Sequence, residues 1–233
     1  MSSILFLDIE TVPIVPLYEE LDDDLQKMWD RKSGYFRKED QTAEDAFERA
    51  GIYAEFGKII CISVGVIHYK GNEMHFRLKS FAGEDEKELL TEFNEMLDKR
   101  YSGKDNYLCA HNGKEFDFPY IARRSIINGV PLPVPLQIAG KKPWEILHLD
   151  TMELWKFGDY KSFTSLALLS KILNIPSPKD DIDGSEVAHV FYVDNDLPRI
   201  VKYCEKDVLT VAQIFMRFRG LPLILAENIS RAE

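Results

Sequence analysis

The chain opens on an apolar run, residues 3–7 (SILFL), that stops abruptly in Asp8-Ile9-Glu10-Thr11. A run of this kind reads as a buried strand. Side chains on a strand alternate, so Asp8 and Glu10 share a face. They are expected at the strand's C-terminal end, where α/β sheets place their sites. Downstream, residues 58–69 (KIICISVGVIHY) and 74–81 read as neighbouring strands joined by the Lys70-Gly71-Asn72 turn. Residues 84–101 carry a helical stripe of Leu89, Leu90, Phe93, Met96 and Leu97. A short strand is expected at 107–110 and a helix at 117–128, stopped by Asn128-Gly129. Residues 131–143 read as loop and 146–149 as a last strand. Helices follow near 165–173 and 197–219. Strands alternating with helices, then a helical last third, indicate an α/β three-layer domain with a mixed sheet. Residues 1–233 read as a single domain. The charged stretch around 17–56 looks helical and offers little to a core, so it is expected to be an insertion.

Hydrophobic residues make up 45% of the chain and charged residues 29%, as in ordinary globular proteins. No apolar run is long enough to cross a bilayer, so no membrane partner is expected. The N-terminus, MSSILFLDIET, has no basic region ahead of its apolar residues, unlike a signal peptide. Cys61, Cys109 and Cys204 lie far apart in apolar contexts and read as buried free thiols. These features together lead to the expectation of a cytoplasmic protein. The net charge of −10 argues against nucleic-acid binding by a basic surface. Acids that hold divalent cations would weaken that argument, because the cations place positive charge where a phosphate must sit.

Two further acidic groups follow the first. His111-Asn112-Gly113-Lys114-Glu115-Phe116-Asp117 lies between a strand and a helix. Tyr203-Cys204-Glu205-Lys206-Asp207 lies on the C-terminal helix, where Tyr203 and Asp207 share a face. Each fragment also has a plainer reading. Asp8 and Glu10 can be surface acids at a strand's exit. Asp117 can be a helix N-cap, Asn112 and Gly113 turn residues, and Phe116 a core residue. Tyr203 and Asp207 can mark an amphipathic boundary. Glu205 points elsewhere and reads as a surface acid.

The order is more specific than any fragment. D-x-E-T on a strand, N-x-x-x-F-D at a helix start and Y-x-x-x-D on a late helix resemble the three exonuclease motifs of the DEDD superfamily. A DEDDh member needs histidine five residues before the last Asp, where this chain has Lys202. Tyr203 fits the DEDDy variant. Within that group the chain is most similar to the proofreading exonuclease domain of family B DNA polymerases. Residues 166–170 (LALLS) and 179–187 (KDDIDGSEV) resemble stand-alone bacterial relatives of that domain.

The resemblance implies a ribonuclease H-like fold, a five-stranded mixed sheet flanked by helices. It implies a 3′–5′ exonuclease that acts on the 3′ end of single-stranded DNA with two divalent cations, Mg²⁺ or Mn²⁺. Asp8, Glu10, Asp117 and Asp207 would be the ligands, with Asp8 shared, and Tyr203 would position the attacking water. Thr11, Asn112 and Phe116 are the substrate-binding candidates. Asp150 reads as a helix cap or a supporting residue. Arg123-Arg124, Lys141-Lys142, Lys156 and Lys161 are candidates for phosphate contacts, with a solvated basic face as the alternative. The chain ends soon after Asp207, which leaves no room for polymerase palm, fingers or thumb. Proofreading would therefore occur in trans, beside a replication or repair polymerase. A 3′–5′ exoribonuclease and a catalytically silent nucleic-acid binding module are the competing readings.

Overall fold

The first strand, β1, is longer than its apolar start, spanning Ile4–Pro13 in the computed structural model, which describes residues 3–159, 163–176 and 182–232. It pairs antiparallel with β2 (Gly57–Lys70), which turns at Gly71 into β3 (Glu73–Ala82). Gly71 takes φ 61°, which a glycine adopts without strain. On its other side β1 pairs parallel with β4 (Tyr107–Ala110), and β4 with the two-residue β5 (Leu149–Asp150). The far edge is β6 (Ile229–Arg231), parallel to β3. The sheet is thus mixed and six-stranded, in the order β5-β4-β1-β2-β3-β6. The sixth strand is a finding beyond the five expected. β6 is three residues on an edge, too short to show any periodicity. The strand expected at 146–149 is reduced to β5.

Helices cover both faces. On one, α2 (Glu86–Tyr101) and α3 (Asp117–Ile127) pack Leu90, Phe93, Leu97, Phe118 and Ile121 against Leu5, Leu7 and Ile9 of β1. On the other, α7 (Leu197–Phe218) packs Val208, Val211 and Phe215 against Ile4 and Phe6. β1 is apolar at every early position because both its faces are buried. Between α3 and α7 come the short α4 (Thr151–Lys156) and α5 (Leu166–Ile172), and α6 (Val187–His189), which continues as a π-turn over Val190–Asp194. Asp22, Asp85, Asp150, Ser165 and Asp196 accept backbone N–H bonds at the starts of the helices they precede, α1 (Asp23–Ser33) and then α2, α4, α5 and α7. Among the described residues no helix is long and apolar enough to cross a membrane.

The stretch at 17–56 departs from its poor showing as sequence. It holds α1 and a 3-10 turn at Phe47–Ile52, gathered around Trp29, which is 0% exposed. Phe36, Phe47, Tyr53 and Phe56 meet the Trp29 ring edge-on at 5.2–5.9 Å. The indole N–H donates to the Ala43 carbonyl at 2.8 Å. The apolar residues are too widely spaced among charges for sequence periodicity to show this small core.

Candidate active site

Asp8 and Glu10 lie inside β1, not at its end as expected. β4 pairs with β1 only as far as Phe6↔Cys109, whereas β2 accompanies β1 on to Pro13↔Gly57. The two acids therefore sit where the parallel neighbour has stopped and the antiparallel one continues. Leu5, Leu7 and Ile9 face α2 and α3, so alternation turns Asp8 and Glu10 toward α7. The pairing shifts register between Glu10 and Thr11. Such a bulge re-aims the residues after it. Glu10 is 7% exposed, and Asp8 keeps more of its surface open.

Asp117 opens α3 as its first helical residue and is not the N-cap, a place taken by Phe116. Its carboxylate accepts from its own N–H and from that of Ile9, which ties it to β1. The turn ahead of it is held from β5. Asp150 accepts from the N–H groups of Asn112 at 3.0 Å and Lys114 at 3.1 Å, and also caps α4. The supporting role read for Asp150 is thus visible in its hydrogen bonds. Asn112 adopts φ 63°, a conformation asparagine tolerates, and its side-chain oxygen is buried with no hydrogen-bond partner among the described residues. A Cβ on Gly113 would stand 2.5 Å from that of Ala110, so only glycine fits there.

α7 brings the third group. The Tyr203 hydroxyl hydrogen-bonds the Asp207 carboxylate one turn on. Cys204 presents its thiol to Asp8, 3.4 Å from the backbone carbonyl and 3.5 Å from Oδ2. Cys204, Cys61 and Cys109 are all free and buried. Glu205 corrects the expectation of a surface acid. It is buried, accepts from Ser80, and pairs with Arg231 at 2.6 Å.

The electrostatics reflect crowding. Burial raises Asp8 well above the ordinary carboxylate range, and Glu10, Asp207 and Asp117 raise it further. Glu10 is raised by burial, then by Asp207, Cys61 and Asp117. Burial pushes Asp117 up to about 7, against its backbone hydrogen bonds. It pushes Asp207 up to about 6, against Lys206 and the Tyr203 hydrogen bond. Tyr203 is raised by burial and by the acids around it, so it stays a neutral phenol. Asp8, Glu10 and Cys204 each offer an atom within 4.8 Å of the others. Burial also raises the Cys204 thiol, which makes it a donor to Asp8 and not a thiolate ligand. The donor set is thus carboxylate oxygen, which suits hard divalent cations such as Mg²⁺ and Mn²⁺.

A family described as a predicted 3′–5′ exonuclease related to the exonuclease domain of PolB matches residues 52–229. The chain belongs to this family. No curated protein matches the chain. The family match begins beyond β1, so Asp8 and Glu10 are placed by geometry alone.

In this PolB-related exonuclease a cavity of about 390 Å³ adjoins Glu10. Thr11 and Phe116 line it, together with Glu48, Arg49 and Ser185. Thr11 also hydrogen-bonds the Tyr120 phenol. Asn112 is not among the lining residues. Arg49 comes from the 17–56 stretch, and its guanidinium lies 4.7 Å from the Phe36 ring centre. Of the basic residues read as phosphate contacts, Arg124 is corrected. It is 6% exposed and forms a bidentate pair with Glu86, with Nε–Oε1 at 2.8 Å. Arg123, Lys141 and Lys142 are exposed, and Lys156 is half-buried. Lys161 lies outside the described residues, as do positions 179–181 of the motif-like segment. Arg49 and Cys204 were not marked as site residues in the sequence. The first gave no signal there. Cys204 sits between Tyr203 and Glu205, where it could have been placed on the inner face.

Proposed function

We propose that the protein is a 3′–5′ exonuclease of single-stranded DNA, with Asp8, Glu10, Asp117 and Asp207 holding two divalent cations, Mg²⁺ or Mn²⁺. One observation carries this reading. Four carboxylates from three separate segments crowd together: burial raises all of them, and Asp8 and Glu10 are raised further by repulsion from the others. At ~4 Å and an effective dielectric near 20, each charged pair costs about 4 kcal/mol. Structure alone gives little reason to build such a cluster, whereas cation binding does.

Bound divalent cations would polarise the phosphodiester and acidify water beside it. Asp8 would be shared between them, Glu10 and Asp207 would hold the one near Tyr203, and Asp117 would act through the other. Tyr203 cannot serve as a base, because its phenol is raised and already donates to Asp207. Its task is to orient the attacking water. Cys204 fixes the Asp8 carboxylate from behind. The cavity beside Thr11 and Phe116 is of a size to take the terminal nucleotide, and Asn112 holds the turn that leads to Asp117. The chain acts as one catalytic domain with 17–56 as an insertion that walls the cavity. Its setting would be the cytoplasm, in trans to a replication or repair polymerase.

The test is a time course on 5′-labelled single-stranded DNA and RNA with Mn²⁺, Mg²⁺ or EDTA. DNA should shorten stepwise from the 3′ end with either metal and stay intact in EDTA. A blocked 3′ end should slow it strongly. Efficient cutting of circular single-stranded DNA would overturn the exonuclease reading, and faster degradation of RNA would move the substrate to RNA.

A further inference from the structure

A second cavity, of about 310 Å³, lies on the α2 side of the sheet, opposite the face that carries Asp8 and Glu10. Its floor is apolar, made by Leu5, Val64 and Met96. Its rim is basic. Arg77 and Lys79 stand two apart on β3 and so share a face, and Arg100 comes from the last turn of α2. The Lys79 ammonium is set over the Phe81 ring at 4.8 Å.

Arg124 and Arg231 are paired with Glu86 and Glu205, and the overall charge is −10. Yet among the described residues no carboxylate pairs with Arg77, Lys79 or Arg100. Tyr101 closes the cavity between them. It is 9% exposed, and among the described residues its hydroxyl has no hydrogen-bond partner. Burial raises the Tyr101 phenol, and the nearby Arg100 and Arg77 oppose only part of that rise. Arg77 also reaches His68, which pairs with His75 across the hairpin, and helps to hold that imidazole neutral after burial has done most of the work.

We propose that this pocket binds a nucleoside monophosphate. Arg77, Lys79 and Arg100 surround the phosphate, the Tyr101 hydroxyl donates to it, and the sugar and base lie on the Leu5–Val64–Met96 floor. Guanidinium groups match phosphate oxygens in geometry and charge, and Met adapts to flat or irregular apolar surfaces. The volume falls at the small end of ligand sites. The site does not depend on the nuclease reading, although a nucleoside monophosphate is the class of molecule that a 3′–5′ exonuclease releases.

The test is isothermal titration calorimetry of the full chain with a deoxynucleoside monophosphate in EDTA, where the metal-free acidic centre repels phosphate. Inorganic phosphate is titrated in parallel. Saturable binding is expected, weakened by salt, and stronger for the nucleotide than for phosphate alone. Arg77→Ala/Arg100→Ala should weaken it about tenfold or more. Tyr101→Phe, which keeps the ring and its packing, should weaken it by less and provides a second reading if the double variant does not fold. Asp8→Asn should bind as the wild type does. The proposal is overturned if the wild type gives no saturable binding or if the arginine variant binds unchanged. It is equally overturned if Asp8→Asn strengthens or abolishes the binding, or if inorganic phosphate binds as tightly as the nucleotide.

Discussion

Asp207→Asn should stabilise the metal-free protein even though it damages the proposed metal site. The Asp207 carboxyl is pushed from an ordinary 3.8 to about 6, chiefly by burial. A carboxylate raised in the folded state opposes folding once it ionises. Below 3.8 both states hold the proton and the effect is absent. Between 3.8 and about 6 the unfolded chain gives up its proton first, and above about 6 the destabilisation is complete. Roughly two units at 1.36 kcal/mol each come to about 3 kcal/mol. Asn stands in for the neutral acid and still accepts from Tyr203, so the variant should gain roughly that amount at neutral pH. Urea unfolding in EDTA measures it at about pH 7.5 and about pH 4. The variant should be the more stable by about 3 kcal/mol at the higher pH, and by under about 1 kcal/mol at the lower. Saturating Mn²⁺ should reverse the order, because the wild type then gains binding energy that the variant has lost. A variant no more stable than wild type in EDTA at pH 7.5, or a gain that ignores pH, would refute the reasoning.

Three further perturbations probe different parts of the site. Tyr203→Phe removes only the hydroxyl, so turnover should fall by up to about 10²-fold while the Mn²⁺ midpoint stays put. A midpoint shifted as far as in Asp207→Asn would make the tyrosine a support of the metal site. Arg49→Ala should raise KM for single-stranded DNA and flatten its salt dependence by about 0.7, leaving kcat and the metal midpoint alone. An unchanged KM would remove Arg49 from the substrate path. Trp29→Ala empties the core of the 17–56 stretch and should cost about 3–5 kcal/mol in urea unfolding. A loss under about 1 kcal/mol would show that stretch to be loosely attached.

What could be seen in the sequence follows from how local each signal is. The break from SILFL into Asp8-Ile9-Glu10 marks a buried strand with acids on one face, because alternation needs only neighbours along the chain. The four-residue spacing of Tyr203 and Asp207 is equally local, and so are the stripe of α2 and the helix start at Asp117. The mixed α/β sheet with helices on both faces follows from the order of those elements. The rest depends on partners distant in sequence. β1 runs past its acids because β2 keeps pairing with it. Arg124 looked like a surface cation until Glu86, on another helix, met it. Glu205 looked like a surface acid until Arg231 of β6 covered it. Asp150 holds the turn that sets Asp117 through two backbone bonds across β4 and β5. Trp29 gathers aromatic residues spread over 36–56, none at a regular spacing.

The most direct test of the central claim is Asp8→Ala, assayed for single-turnover cleavage of 5′-labelled single-stranded DNA alongside thermal unfolding with and without Mn²⁺. Asp8 is the acid that feels all three of the others. The wild type should gain thermal stability from Mn²⁺ and degrade the strand from its 3′ end. The variant should lose the thermal gain and cut roughly 10³-fold more slowly or worse. Cleavage at the wild-type rate in a clean Asp8→Ala preparation, with the Mn²⁺ stabilisation intact, would contradict the account.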